Sequence, residues 1–408
     1  MKAANRRKFL ALSPVIGGAL VGCSGEKKQQ AAAEDDGPNR LGKPISEYGD
    51  RSEFEKAKRL KPETKTPEQA STKTPLAEIH GMITPSALHF ERHHAGVPAL
   101  DPAKHSLMIH GMVERPLLFT MAELKRLPSV SKIHFIECAG NSGSEWGAKP
   151  APDAQSSHGL VSCSEWTGVP LALLLEEAGV KKEASWMIAE GADACKMNRS
   201  IPIAKAKDNI IVAYAQNGEA LRPEQGYPLR LVIPGWEGNI NVKWLRRLEL
   251  TDQPAMSRQE TSKYTDLEAS GKARQFTFVM DAKSLITYPS GGRKLDGPGF
   301  HEVRGIAWSG RGRITKVEIS ADAGKTWQTA ALQDPVLPMA LTRFRFPWRW
   351  DGAECTLLSR CTDETGYLQP TRAELIAVRG MNSNYHYNGV HGWKVEADGN
   401  VTQVVQPA

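Results

Sequence analysis

One cysteine stands where chemistry is most readily done. The stretch Lys132-Ile133-His134-Phe135-Ile136-Glu137-Cys138-Ala139-Gly140-Asn141-Ser142-Gly143 runs an apolar strand straight into a loop of small residues, with Cys138 at the join. Small residues after the sulfur let the backbone turn tightly and let a bulky group approach. A thiol so placed suits a nucleophile or a ligand for a soft metal; a plain buried cysteine at a strand end is the third reading. Upstream, His89, His93 and His94 fall close together. They make no zinc site by themselves, because no further ligand follows at metal spacing.

The elements that must position these groups are short and mixed. Ser106–Val113 reads as a strand, and Thr120-Met121-Ala122-Glu123 is a capping box that opens a short helix ended by Pro128. Pro170 starts a helix over Leu171–Ala178, and Gly179 stops it. Ile210–Ala215, Leu229–Ile233 and Val242–Leu250 read as strands, with a turn at Asn217-Gly218. After Phe276 the helical signals stop. Val303–Trp308, Thr315–Ser320, Arg343–Trp350 and Cys355–Cys361 form a strand series, with a hairpin turn at Asp322-Ala323-Gly324. The fold expected is α+β: a mixed catalytic domain over residues 76–272, then a β-sandwich over 273–402.

The chain has 408 residues, 40% hydrophobic and 24% charged, which is a globular composition long enough for two domains. The net charge of +6 reflects Lys and Arg enriched near the N-terminus, and does not argue for nucleic acid. Arg6-Arg7-Lys8-Phe9-Leu10 followed by the apolar Ala11–Val21 is a twin-arginine export pattern, so residues 1–22 are expected to act as a signal to the periplasm. That route carries folded proteins, commonly with a cofactor already bound. Leu20-Val21-Gly22-Cys23 has the form of a lipoprotein cleavage site, which leaves a lipid anchor at Cys23 and ordinary cleavage both open. Residues 23–75 read as a linker or a surface arm. Six cysteines include no Cys-x-x-Cys; in an oxidising compartment Cys355 could pair with Cys361, and Cys163 with Cys195.

Four further segments join the cysteine stretch in order: His89–His94, Gln225–Gly235 running on to Val242–Leu245, Ser262-Lys263-Tyr264, and Val378–Asn384. With them the chain resembles the sulfite oxidase family of molybdenum enzymes from about residue 76 to 395, and within it the sulfane dehydrogenases of sulfur oxidation. That resemblance implies a molybdopterin domain followed by an immunoglobulin-like dimerisation domain. It makes Cys138 the protein ligand to molybdenum. It implies that Phe90, Arg92, His93 and His94 pack against the pterin, and that Gln225, Arg230 and Lys243 hold the cofactor. Arg92, Tyr264 and Arg379 would face the substrate. It further implies a separate c-type cytochrome as electron acceptor, no haem on this chain, a homodimer within a hetero-oligomer, and a sulfur-carrier protein as substrate bearer.

Three positions depart from the family pattern. Sulfite oxidases carry an arginine five residues after the cysteine, where this chain has Gly143. A pocket tryptophan falls near Ser156, and a cofactor-binding histidine is replaced by Gln225. Less charge and less bulk favour sulfane sulfur presented on a protein arm over free sulfite. A periplasmic sulfite dehydrogenase is the first alternative, and a non-catalytic β-sandwich binding protein of the envelope is the alternative of another class.

The export pattern is directly testable. Replacing Arg6 and Arg7 by Lys should leave unprocessed precursor in the cytoplasm, read by immunoblot of fractionated cells. Wild-type yield in the periplasmic fraction would count against the twin-arginine route.

Overall fold

The computed structural model describes residues 44–407. Lys56–Ala408 forms one compact unit. Its first half is built on two five-stranded sheets. One runs Glu219–Ala220, Ile211–Gln216, Val161–Pro170 and Val130–Glu137, all antiparallel, with Arg230–Val232 also pairing to Ile211–Gln216. The other runs Leu117–Thr120, Ser106–Gly111, Leu245–Thr251, Trp186–Gly191 and Asn198–Pro202. In it Leu245–Thr251 lies parallel to Ser106–Gly111, and the other pairs are antiparallel. Leu107, Ile109, Leu248, Met187 and Ile201 are fully buried between this sheet and the helix Leu171–Ala178. That helix ends at Gly179 in the left-handed region, as its sequence predicts.

The second half is a β-sandwich. Lys283–Tyr288, Gly299–Trp308, Thr342–Trp350 and Ala331–Leu332 form one sheet. Gln328–Thr329, Ile314–Ser320, Cys355–Asp363, His391–Val395 and Val401–Val404 form the other. Thr342–Trp350 shows why: Phe344, Phe346, Trp348 and Trp350 alternate inward against Arg343, Arg345 and Arg349 outward. The sandwich core does not stop at the domain border. Phe135, Val161 and Cys163 of the cysteine-bearing sheet belong to the same buried cluster as Leu285, Trp308 and Trp393.

Several expectations change. The helical signals do not end at Phe276: Arg372–Arg379 is a helix, capped by Thr371 and Glu374 in a reciprocal box. The Thr-Arg-Ala-Glu spacing at 371–374 carried that signal. The folded body starts before residue 76, since Ser71–Thr72 pairs with Glu91–Arg92 and Leu60 bridges to Lys73. All five described cysteines are free thiols. Cys355 and Cys361 lie on one strand, about 20 Å apart along it, far beyond disulfide reach. Cys163 is buried within its sheet, whereas Cys195 bonds Asp193 at 2.8 Å, so that pair is not made either. The export segment and Cys23 lie outside the described residues. Among the described residues no helix is long and apolar enough to cross a membrane.

One buried ion pair ties the halves together. Lys283 Nζ, 1% exposed, lies 3.2 Å from Glu137 Oε1 and donates to Ser142 Oγ and the Tyr387 carbonyl at 2.7 Å each. Lys283→Met leaves the Glu137 carboxylate buried without its cation and should cost about 3–5 kcal/mol in urea denaturation. Lys283→Met with Glu137→Gln should recover part of that loss. An additive double variant would mean that the two charges do not interact.

Candidate active site

The strand Val130–Glu137 buries its last four residues, so Cys138 leaves it at a fixed point. Its N–H donates to the Leu160 carbonyl at 2.9 Å, and its own carbonyl accepts from Asn141 N–H at 2.8 Å. Glu137 anchors the join: Asn141 Nδ2 at 2.9 Å and Trp308 Nε1 at 2.7 Å donate to its carboxylate beside Lys283. Gly238 packs beneath, where a Cβ would stand 2.8 Å from the Glu137 carbonyl oxygen, so only glycine allows the approach. Burial pushes the Cys138 thiol up, and the Gly140 backbone and Arg92 oppose that rise. A thiolate here therefore asks for a cation as partner.

The sulfur opens into a cleft. Phe90, Arg92, His93, His94, Gln225, Arg230, Lys243 and Tyr264 all line it with Cys138. The structure thus brings together every expected site residue except Arg379. The loop bearing Arg92 is clamped from outside. Ser71 pairs with Arg92, His93 N–H donates to Ala70 at 3.0 Å, and Arg92 donates to the carbonyls of His93 and of Gln69, the latter at 3.0 Å.

Charge in the cleft is positive and partly unpaired. Arg230 is buried over the Trp166 ring, 4.7 Å from its centroid, and bonds only carbonyl oxygens and the Gln225 amide. Its Nε has no partner, and burial pushes it down to about 9. Burial and the neighbouring Arg230 push Lys243 down to about 7. Lys243 Nζ donates to the Glu224 carbonyl and approaches His93 Nδ1, each at 3.0 Å, while His93 Nε2 meets Glu91 at 2.7 Å. With Nδ1 accepting from Lys243, His93 carries its proton on Nε2 and donates to Glu91. Gln225 donates its amide to the Phe90 carbonyl at 2.9 Å, so it positions the cleft wall and its N–H is already engaged. Gly226, at φ +110°, makes the turn that brings Arg230 and Lys243 side by side.

These residues fit a molybdopterin cofactor. A soft sulfur donor faces a cleft whose buried cations lack a carboxylate partner, which is what a metal joined to an anionic pterin requires.

Tyr264 sits at φ +54°, an uncommon conformation for a side chain of this size, and it aims its hydroxyl at His94 Nε2, 3.0 Å away. Burial, then Arg92, push His94 down to about 4, so its ring is neutral and accepts from the tyrosine. Beneath lies a network with no motif in the sequence. Arg199, 1% exposed, stacks 5.2 Å from the Tyr264 ring and pairs with Glu237 at 2.9 Å and Glu260 at 3.5 Å. Burial alone would raise Glu237, but Arg199 and His386 hold its carboxyl at about 2.

Three expectations fall elsewhere. Arg379 lines a separate recess with Arg274, Asp281 and Arg311, 3.7 Å from Asp281 Oδ2, and not the Cys138 cleft. The Asp281 carboxylate holds it there. Gly143 does not line the cleft either: a Cβ there would meet the Asn384 carbonyl at 3.0 Å. Ser156 is used in a helix, its N–H capped by Asp153 at 2.6 Å.

Residues 94–259 match the model for the oxidoreductase molybdopterin binding domain, and 274–391 that for the Mo-co oxidoreductase dimerisation domain. The chain is 31% identical to the mitochondrial sulfite oxidase of Drosophila melanogaster, over 85% of this chain and 65% of that one. It is 32% identical to the NADH nitrate reductase of Solanum lycopersicum, over 77% of this chain but only 39% of the reductase. The crystal structure of the sulfane dehydrogenase SoxCD from Paracoccus pantotrophus superposes with a TM-score of 0.88 at 48% identity, covering 91% of this chain and 96% of that one. The chain belongs to the sulfite oxidase family of molybdopterin-dependent oxidoreductases.

Lys243 gives this site a pH signature. Its charge is present below about pH 7 and lost above it. An anion bound beside it raises that value, so uptake of the anionic pterin by apoprotein should weaken above pH 7, by up to about tenfold per pH unit. Fluorescence-monitored reconstitution between about pH 6 and 9 measures this, and Lys243→Arg should flatten the profile. A wild-type profile flat across that range would remove Lys243 from cofactor binding.

Proposed function

We propose that this chain oxidises sulfane sulfur carried on a partner protein's cysteine, in the periplasm, and passes the electrons to a separate c-type cytochrome. The observation that carries the reading is the likeness to the Paracoccus sulfane dehydrogenase, which runs through both domains. Cleft chemistry supports it. Arg379 and position 143, where the family pattern places substrate cations, lie outside the cleft. Fewer cations suit a singly charged persulfide better than a free dianion.

The reaction is balanced for each two-electron cycle. A persulfide R–S–S⁻ gains one oxygen from water and releases two protons and two electrons. When bound, the molybdenum group supplies the oxygen atom to sulfur and takes up the electron pair. Cys138 would hold it through a thiolate, and Arg230 and Lys243, which line the same cleft, would hold its anionic end. Arg92 is a permanent cation for the charge that develops on sulfur. Tyr264 is the proton device: its hydroxyl, donated to the neutral His94 Nε2, can turn that hydrogen to a substrate oxygen instead.

The decisive test compares specificity constants for free sulfite and for persulfidated carrier protein, with one haem protein as acceptor. The carrier should be preferred. A preference for free sulfite would replace this reading by a sulfite dehydrogenase. Cys138→Ser should fold yet turn over at least about 100-fold more slowly, because a hydroxyl is a poor soft-metal ligand. Near wild-type turnover in a molybdenum-loaded Cys138→Ser protein would refute the ligand assignment.

A further inference from the structure

We propose that Glu145, His158 and His391 form a second metal site, a buried two-histidine, one-carboxylate group that takes a divalent ion of the zinc type and joins the two domains. Glu145 lies in the short turn Gly143–Gly147 and His158 ends the helix Ala154–His158, both in the first domain. His391 opens the strand His391–Val395 of the sandwich. Their exposures are 1, 0 and 2%.

The three present ligand atoms to one another within 4.8 Å. Glu145 Oε1 is 3.1 Å from His391 Nδ1 and 3.6 Å from His158 Nε2. A tetrahedral zinc ion with bonds of about 2.0–2.2 Å sets its ligands roughly 3.3–3.6 Å apart, close to both distances from Glu145, and the two histidine nitrogens, within 4.8 Å of each other, would close on the ion.

The proton inventory is what calls for a cation. Ser157 Oγ donates to the carbonyls of Asp153 and Ala154, at 3.3 and 3.4 Å. Its short contact is with His158 Nδ1, 2.7 Å away. With the hydrogen of that contact on Nδ1, His158 presents a bare lone pair at Nε2. Nε2 is buried and has no hydrogen-bond partner, and it faces a carboxylate oxygen. On the other side, the Ala151 N–H donates to Gln403 Oε1, which turns Gln403 Nε2 toward His391 Nδ1 at 3.4 Å. His391 Nδ1 also lies at hydrogen-bond distance, 3.1 Å, from Glu145 Oε1. Two imidazole nitrogens and a carboxylate oxygen therefore converge on one buried point.

Glu145 adds the charge argument. Among the described residues no Lys or Arg nitrogen pairs with its carboxylate; its ion-pair contacts are the two histidines alone. Lys283, the nearby ammonium that acts on His158, is paired with Glu137 instead. A buried carboxylate in these surroundings is stabilised by a cation of its own.

The test uses the full chain carrying its molybdenum cofactor, purified from zinc-supplemented cells and washed with a weak chelator. Elemental analysis should find about one zinc per chain in addition to molybdenum. His158→Gln and Glu145→Gln should lose the zinc, while Cys138→Ser keeps it. If those variants do not fold, wild-type protein from cobalt-supplemented cells decides: the site should give the visible absorption of tetrahedral Co²⁺. Molybdenum-loaded wild type with background levels of both zinc and cobalt overturns the proposal, as does zinc retained in full by both variants.

Discussion

The structure turns on a carboxylate that has no contact with solvent. Glu137 precedes Cys138, and its two oxygens are held by Asn141 of the same loop and by Lys283 and Trp308 of the sandwich. An isolated buried charge is costly, so the chain adopts this loop only with the sandwich in place. The direction of the Cys138 sulfur is thus set from the second domain. The same holds one residue on, where His386 N–H donates to the Ala139 carbonyl at 2.8 Å and its ring meets Glu237 at 3.3 Å. What looks in sequence like an appended dimerisation module is half of the frame around the sulfur.

Two buried arginines show how one fold treats charge in opposite ways. Arg199 is neutralised by Glu237 and Glu260, and serves as a rigid plane under Tyr264. Arg230 receives only neutral acceptors and an aromatic face. The first is complete without a ligand. The second is stable only to the extent that an anion fills the cleft, so cofactor binding and folding share one free energy. This asymmetry separates structural cations from binding ones in a chain where composition treats them alike.

Much of this was legible in the sequence, for identifiable reasons. Strands with period-two alternation, such as Thr342–Trp350, and helices with their own caps, such as Leu171–Ala178, declare themselves locally. Cys138, Arg92, Arg230, Lys243 and Tyr264 stood out because ordered motifs carried them. The helix Arg372–Arg379 was overlooked although its capping box is plain, because a run of strands set the expectation. Arg199, Glu237 and Glu260 had no local signal at all. Each is a charged residue in an ordinary strand, turn or short helix, and only tertiary proximity makes them a network. Arg379 was placed with the substrate by its motif, but Asp281 holds its guanidinium elsewhere.

The positions of Gly143 and Asn384 carry the last step. In the sequence Gly143 looks like an absence, a cation removed from beside the metal. In the structure it is a close approach, because a side chain would begin 3.0 Å from the backbone carbonyl of Asn384. Asn384 is itself fixed, its N–H donating to Asp266 at 2.9 Å. A larger residue at 143 would press on a segment that also carries His386, and through it Ala139 and Glu237. The missing arginine and the sandwich loop are therefore one feature. Chain from the second domain stands against the turn after the cysteine loop, and the cations that line the cleft are Arg92, Arg230 and Lys243. No count of charges in the sequence reveals that packing, because position 143 meets a backbone carbonyl rather than a side chain.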